Sequence, residues 1–338
     1  MLNKAIINLN KLVDNALAIK KELKKGVKFC AVVKADAYGH GACEVANALY
    51  PFVDSYAVAL AEEGVELRLA GIDKDILCLN PPTREDAKLF VEYNLTATVY
   101  TCEHVNFLQS IAKKLERKVK VHVKFNAGMN RQGIDKIAEF KEFLEYLKSK
   151  KQLLLDGFYS HLSQPENKKR LKLQVNNFLL AKKVVKVYNN KATCHVSASG
   201  GFLSGVQEDM VRIGILLYGY KPFKSDKIKV EPIMKVYAPV LCTRRLKKGE
   251  RALYGNCKSR KTQTVSLIRY GYADGLFRKR IRGQFNNRCM DLTAITKIPN
   301  GKYYAVMENA QKLAKRYKTI SYEILTKCAM RAQKIYIR

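Results

Sequence analysis

The sequence lacks the features of a membrane protein and of a disulfide-bonded or zinc-binding protein. No stretch of about 18 or more apolar residues occurs, so there is no candidate for a transmembrane helix. The amino-terminal apolar runs are too short and too interrupted for a signal peptide. The nine cysteines are odd in number and none are spaced as C-x-x-C, which argues against disulfides and a zinc site. These absences predict a cytoplasmic protein with reduced thiols and no metal.

Acidic residues are scarce. The 338-residue chain has 30 Asp and Glu against 62 Lys and Arg, a formal net charge of +32. Such an excess is typical of proteins that bind nucleic acids or anionic membranes. The basic residues are nevertheless spread over the whole chain and form no single arm or tail. This spread favours solvated basic surfaces, and we expect neither a nucleic acid nor a membrane as partner.

Short apolar runs alternate with segments of helical period over the first two thirds of the chain. After an initial strand, KAIINL, eight further strands are predicted: VKFCAVVK, SYAVAL, DILCLN, TATVY, VKVHVKFN, LLLDGFYSHL, TCHVSAS and MVRIGILLYG. Eight strand–helix units in roughly 220 residues are typical of a (β/α)8 TIM barrel. The alternative is an open, doubly wound sheet. The barrel is preferred because the strand count closes at eight and G-x-G-x-x-G is absent.

Helical periodicity fades after Tyr220, where strand and turn patterns take over. The segments KVEPIMKVYAPVLCTRRL, RALYGN, KTQTVSLIRYGYADG and ITKIPN are predicted strands and turns, and helices are predicted at ENAQKLAKRY and near YEILTKCAMRAQ. We therefore predict a barrel domain over residues 8–222 and a mostly β carboxy-terminal domain over residues 223–338. The first strand, residues 1–7, is expected to pair with the second domain.

Lys34 ends the apolar run FCAVV, an unusual place for a cation. In TIM barrels the reactive groups lie at the carboxyl ends of the strands. Burial there would lower the pKa of the amine, and a neutral amine attacks an aldehyde, which predicts covalent attachment of a carbonyl cofactor. A lysine that simply extends into solvent is the ordinary alternative.

The surrounding motif decides between these interpretations. AVVKADAYGHG (residues 31–41) closely resembles the pyridoxal-phosphate motif of the bacterial alanine racemases, which are fold type III enzymes. Further family landmarks follow in family order: VKFNAGMNRQG (123–133), MVRIGILLYG (210–219), YGYADGLFR (270–278), CMD (289–291) and TISYEIL (319–325). The resemblance spans nearly the whole chain. It implies a pyridoxal 5'-phosphate enzyme that interconverts L-alanine and D-alanine and so supplies D-alanine for peptidoglycan.

The resemblance implies two acid–base groups, Lys34 and Tyr272, because a proton removed from one face must be returned to the other. Arg212 matches the arginine that bonds the pyridine nitrogen; since arginine stays protonated, that nitrogen stays unprotonated. His161 matches a histidine that packs near the ring and bonds the arginine. The matching phosphate ligands are Tyr38, Ser199, Tyr322 and the backbone N–H groups of Gly214 and Ile215.

The substrate carboxylate is assigned by the resemblance to Arg131 and the backbone of Met290, and Lys124 matches a lysine that is often carbamylated. The sequence also departs from the family pattern. Asn126 and Ala127 replace an acid and a threonine, Ala198 precedes Ser199 where asparagine is usual, and the segment between GYADG and CMD is shortened.

The expected partners are an amino-acid substrate and a second copy of the chain, in a homodimer whose active sites are shared across the interface. Three alternatives stay open. One is a racemase of broader or different preference, such as serine. Another is a non-catalytic pyridoxal-phosphate-binding protein, against which the second domain and Tyr272 argue. The last is a nucleic-acid binder, supported only by charge.

Overall fold

The computed structural model describes residues 1–254, 258–278, 288–296 and 301–338. These residues form two compact units. The barrel unit comprises residues 12–35 and 42–231, and the second unit comprises residues 1–11, 36–41 and 232–338. The domain boundary expected at residues 222–223 stays a prediction.

The barrel unit is built on eight parallel strands. The chain begins with β1 (Lys4–Asn8) of the second unit and then contributes to the barrel β2 (Lys28–Val32), β3 (Ser55–Val58), β4 (Ile76–Cys78), β5 (Thr96–Val99), β6 (Val119–Lys124), β7 (Leu153–Tyr159), β8 (Thr193–His195) and β9 (Met210–Ile213). Their order is β8-β7-β6-β5-β4-β3-β2-β9. A parallel bridge between Ala198 and Arg212 nearly closes the ring. The predicted (β/α)8 barrel is confirmed.

Helices follow the strands. They are α1 (Leu9–Lys21), α2 (Lys34–Gly39), α3 (Ala42–Leu49), α4 (Ala61–Leu69), α5 (Ala87–Glu92), α6 (Cys102–Lys114), α7 (Ile137–Lys148), α8 (Lys168–Tyr188) and α9 (Ser199–Leu203), with a 3-10 turn at Tyr50–Phe52. Strands β4, β5 and β9 are buried on both faces, as parallel strands covered by helices must be. Helix α7 instead buries one stripe, Phe140, Phe143, Leu144 and Leu147. These two patterns explain why the strand–helix alternation was legible in the sequence.

Helix α2 differs from the others in hand. Residues 35–38 have φ values of 53°, 53°, 51° and 55°, and Gly39 has 82°, so the turn is left-handed. For residues other than glycine this conformation costs roughly 1–2 kcal/mol each. Within the second unit, the Gly41 amide bonds the Asp36 carbonyl at 3.0 Å and His40 Nδ1 lies 2.8 Å from the Ala37 carbonyl. These bonds offset part of the strain, and the start of a right-handed helix expected at YGHG is wrong.

The second unit is a six-stranded sheet with two helices. It comprises β10 (Met234–Leu246), β11 (Gln263–Ile268), a 3-10 turn (Tyr272–Asp274), β12 (Thr293–Ile295), β13 (Tyr303–Met307), α10 (Ala310–Tyr317), α11 (Ser321–Cys328) and β14 (Gln333–Ile337). The order is β12-β11-β10-β1-β14, and β13 also pairs with β10. Strand β1 is antiparallel to β10 and parallel to β14. The amino-terminal strand thus lies in this sheet.

Parts of the predicted second domain cannot be compared. The shortened segment between GYADG and CMD, the end of RALYGN and the end of ITKIPN lie outside the described residues. Among the described helices, none is long and apolar enough to span a membrane.

Candidate active site

Lys34 is the first residue of α2, directly beyond the carboxyl end of β2. It is half-buried, and its pKa is lowered by burial and by the Arg131 cation, against a smaller opposing effect of Glu63. The Glu63 carboxylate accepts the Ala35 amide at 2.6 Å and the Ala59 amide at 2.6 Å. Glu63 therefore anchors the backbone beside Lys34, and the amine is easier to deprotonate than a solvated lysine.

Arg212 lies on β9 and is 2% exposed. One terminal nitrogen donates to the carbonyls of Ser160 at 2.8 Å and Val196 at 3.3 Å, and the other contacts His195 Nδ1. The Tyr159 ring lies 4.9 Å from the guanidinium carbon. Burial lowers the Arg212 pKa to about 10, so the group is still a cation at neutral pH.

The histidine that contacts Arg212 is His195, which the sequence analysis had not singled out. Among the described residues His161 is not a hydrogen-bond partner of the guanidinium, contrary to expectation. Burial and the Arg212 cation instead lower the pKa of His161 to about 3, so its imidazole is neutral. The available signal for His195 was its position at the carboxyl end of a barrel strand, in TCHV.

Lys124 ends β6 and is 4% exposed. Its Nζ donates to Gln132 Oε1 at 2.7 Å and lies 5.1 Å from the centre of the Tyr159 ring. Burial lowers the Lys124 pKa to about 7, and the cations Arg131, Arg212 and Lys34 lower it further. Much of this amine is therefore neutral near physiological pH, which is the form that adds carbon dioxide.

Asn126, a departure from the family pattern, organises the loop that carries Arg131. Its Oδ1 accepts the amides of Gly128 at 3.1 Å and Asn130 at 2.9 Å. Its Nδ2 donates to Asn130 Oδ1 at 3.0 Å and to Asp135 Oδ1 at 2.5 Å. An aspartate could make the first pair of bonds, whereas the second pair needs an amide donor. The substitution therefore keeps the loop organised by different chemistry.

Ser199 begins α9, and its Oγ accepts the Gly214 amide at 3.2 Å. Ile215 follows, buried, directly after the end of β9. A hydroxyl and backbone amides are the donors that proteins use for phosphate groups. The barrel unit therefore holds, at the carboxyl ends of its strands, a lysine of lowered pKa, a buried arginine and phosphate-type donors, and this donor set fits a phosphorylated aldehyde such as pyridoxal 5'-phosphate.

In the second unit, two buried tyrosines predicted as phosphate ligands approach each other. The ring centres of Tyr38 and Tyr322 are 6.0 Å apart. Burial raises the pKa of both phenols, that of Tyr322 to about 12, so each keeps its proton. Each phenol is therefore a hydrogen-bond donor.

Tyr272 and Met290 are brought together in the second unit. The Tyr272 amide donates to the Cys289 carbonyl at 3.2 Å, and the Ala273 amide donates to the Met290 carbonyl at 3.0 Å. A Cβ at Gly271 would lie 2.0 Å from that same Met290 oxygen, so only glycine permits the approach. The side chains of Tyr272 and Met290 are 40% and 54% exposed, so both are open to solvent in the single chain.

A TIM barrel with a mostly β unit is the architecture of the fold type III enzymes. The models of the alanine racemase N-terminal and C-terminal domains match residues 7–222 and 233–336. The chain is 35% identical to the alanine racemase of Treponema denticola over 99% of this chain and 98% of that protein. It is 31% identical to that of Aquifex pyrophilus, over 93% and 92%.

Solved structures agree. An alanine racemase structure from Clostridium difficile 630 superposes with a TM-score of 0.92 at 30% identity, covering 100% of this chain and 96% of that one. The Bacillus anthracis alanine racemase with bound L-Ala-P has a TM-score of 0.91 at 27% identity, covering 99% and 95%. The chain belongs to the alanine racemase family. The family comprises pyridoxal-phosphate-dependent isomerases whose general role is D-alanine supply for peptidoglycan.

Proposed function

We propose that this chain is a pyridoxal 5'-phosphate-dependent racemase that interconverts L-alanine and D-alanine with Lys34 and Tyr272 as its two bases. The observation that carries the proposal is the half-buried Lys34 amine of lowered pKa at the carboxyl end of β2, in a barrel that also holds buried Arg212. Family membership and the names of the relatives support the same reaction.

The cofactor would be held by three sets of groups. Lys34 Nζ would form the covalent link, and Arg212 would donate to the ring nitrogen, with neutral His161 beside the ring. The phosphate ligands would be the Ser199 hydroxyl, the amides of Gly214 and Ile215, and the phenols of Tyr38 and Tyr322. When bound, pyridoxal phosphate supplies an electron-withdrawing ring that acidifies the substrate α-hydrogen.

The substrate would be oriented by its carboxylate, which Arg131 and the backbone of Met290 would bind. A carbamate on Lys124 would add a negative charge that positions the Arg131 cation. Lys34 Nζ and the Tyr272 phenol would take and return the proton on opposite faces of the α-carbon. Because Arg212 stays charged, it would leave the ring nitrogen unprotonated, which limits electron withdrawal and so misplaced protonation.

The active unit would be a homodimer in which Tyr272 and Met290 are supplied by the partner chain. Two-fold pairing is the commonest assembly of soluble proteins. Both side chains are substantially exposed in the single chain, which is compatible with a role in a partner's site.

The test is racemization by the purified chain, with D-alanine measured by chiral chromatography after incubation with L-alanine and pyridoxal phosphate. Lys34→Ala should abolish activity, and borohydride reduction of the wild-type protein should label the peptide containing Lys34. Lys28→Ala is a matched control because Lys28 is exposed at the other end of β2.

The wild-type assay also separates the alternatives. Faster turnover of L-serine than of L-alanine would reassign the preference. Cofactor binding without turnover of either amino acid would indicate a non-catalytic carrier. Labelling of a lysine other than Lys34 would overturn the site.

A further inference from the structure

A hydrogen-bonded chain of four side chains crosses the barrel unit from Arg212 to Asp156. The Arg212 guanidinium contacts His195 Nδ1, His195 Nε2 lies 2.8 Å from His122 Nδ1, and His122 Nε2 lies 3.3 Å from Asp156 Oδ2. Arg212, His195 and His122 are buried, whereas the Asp156 side chain is 39% exposed. Asp156 and His122 line a cavity of about 270 Å³ among residues at the amino ends of the strands. The chain therefore links that end of the barrel to the site of Arg212.

The chemistry of its two ends gives the chain one direction. A guanidinium only donates, so His195 Nδ1 accepts and the His195 proton lies on Nε2. His195 Nε2 then donates to His122 Nδ1, and the His122 proton lies on Nε2, from which it donates to the Asp156 carboxylate. The arginine and the carboxylate together specify the tautomer of both neutral histidines.

Two features of the backbone accommodate this arrangement. In the β6–β7 ladder Val121 pairs with Leu155 and His122 pairs with Gly157, so Asp156 is an extra residue in a bulge. Bulges redirect side chains and recur beside functional sites. A Cβ at Gly157 would lie 2.5 Å from His122 Nε2, so the imidazole occupies space that only glycine leaves.

The His195 ring is held in its plane from one side. It stacks on the Tyr159 ring with 5.0 Å between ring centres and an angle of 3°. Burial and the Arg212 cation lower the pKa of His195, which keeps it neutral and able to accept. The hydrogen bond from His122 lowers the pKa of Asp156, which keeps it an acceptor at neutral pH.

We propose that His122 and Asp156 are positioning residues for Arg212, because they hold His195 in the tautomer that accepts from the guanidinium. In the other tautomer His195 would present an N–H to an N–H, and Arg212 would lose its side-chain acceptor in a buried site where such losses are costly. The effect on catalysis rests on the proposed function, whereas the tautomer assignment does not.

The direct test is nitrogen NMR of the protein labelled with 15N-histidine, which has only five histidines to resolve. Ring-nitrogen shifts distinguish the two tautomers, and His122→Phe identifies the signals of His122. We expect the Nε2–H tautomer for both relay histidines in the wild type. Asp156→Ala should mix the tautomers of His195, whereas Asp156→Asn, which keeps an acceptor oxygen, should preserve them.

Kinetics and the cofactor spectrum provide the second readout. Asp156→Ala should lower kcat on the order of 10-fold and shift the cofactor absorbance with little change in KM, since a hydrogen bond to a charged group is of that size. Asp156→Asn should recover most of the loss. Asp75→Asn is the matched control, because Asp75 lines the same cavity but pairs with Lys120 at 2.8 Å.

Gly157→Ala perturbs the relay without removing a polar group, because its methyl group would displace the His122 ring. It should reproduce the effects of Asp156→Ala. An unchanged His195 tautomer in both Asp156→Ala and Gly157→Ala overturns the inference, and if either variant does not fold the other decides. Absence of racemization in the wild type would overturn the proposed function and leave the NMR result to judge the relay.

Discussion

Gly39 is expected to be the most sensitive position in the left-handed turn α2. Its φ of 82° lies in the region that side chains rarely adopt. A Cβ built there would lie 2.6 Å from the backbone oxygen of Leu325 and 3.5 Å from Thr326 Cα, both on α11. Gly39→Ala therefore adds a backbone clash to an unfavourable φ.

A matched control separates these two effects. Gly26 has the same φ of 82°, but a Cβ there would meet nothing within 4 Å. Gly26→Ala should cost only the conformational penalty, about 1–2 kcal/mol. Gly39→Ala should cost that penalty plus about 1–3 kcal/mol for moving packed atoms apart, a total of about 2–5 kcal/mol.

The measurement is urea unfolding followed by far-ultraviolet circular dichroism, with amide hydrogen exchange to locate the loss. We expect a larger drop in midpoint for Gly39→Ala than for Gly26→Ala, and faster exchange in α11 for Gly39→Ala alone. Because Tyr38 precedes Gly39 and Tyr322 lies on α11, affinity for pyridoxal phosphate should fall with it. Equal destabilisation by the two substitutions, with α11 unchanged, would refute the close approach.

The remaining predictions concern three other residues and the dimer. Tyr272→Phe should slow racemization by about 10²- to 10⁴-fold; proton NMR in heavy water should show D-alanine exchanging its α-hydrogen faster than it racemizes, whereas equal exchange of both enantiomers would exclude two bases. Mixing Lys34→Ala and Tyr272→Phe chains should restore activity, and no recovery in a verified heterodimer would mean that each chain builds its own site. Burial lowers the His40 pKa from 6.5 to about 4, so the contribution of neutral His40, about 3 kcal/mol, is complete above pH 6.5 and is lost as pH falls toward 4; unfolding free energies of wild type and His40→Asn that run parallel with pH would contradict this. Carbon-13 NMR in labelled bicarbonate should show a carbamate that Lys124→Ala removes, and a signal that persists in the variant would exclude Lys124.

The sequence determined the barrel because burial on both faces leaves a direct pattern. Strands such as β4 and β9 are short apolar runs, and helices such as α7 repeat their buried residues every three or four positions. Both periods are local, so no partner has to be known to recognise them. The order of eight such units then allowed few topologies.

Long-range pairing was only partly accessible. Strand β14 was missed, and the predicted helix near YEILTKCAMRAQ ends at Cys328. The five residues of β14 form a strand because they pair with β1 from the other end of the chain. Nothing in QKIYI itself specifies that partner.

For the candidate site, motif and strand-end position indicated Lys34 and Arg212 from the sequence, while their roles stay predictions. The relay of His195, His122 and Asp156 was invisible because its members lie on three strands and carry no common motif. A bulge at Asp156 and a glycine opposite His122 make it possible. Such a relay is specified by the register between strands, which only the folded barrel has.

The left-handed turn shows the same division. Residues 35–38 are Ala, Asp, Ala and Tyr, none of which favours positive φ for four positions in succession. What outweighs their preference is supplied by residues distant in the chain: Glu63, which binds the Ala35 amide, and Lys334, which lies 2.6 Å from Asp36. Local preference thus determined the strand that ends before Lys34, and tertiary contacts decided the backbone that presents it, because only they can offset so much local strain.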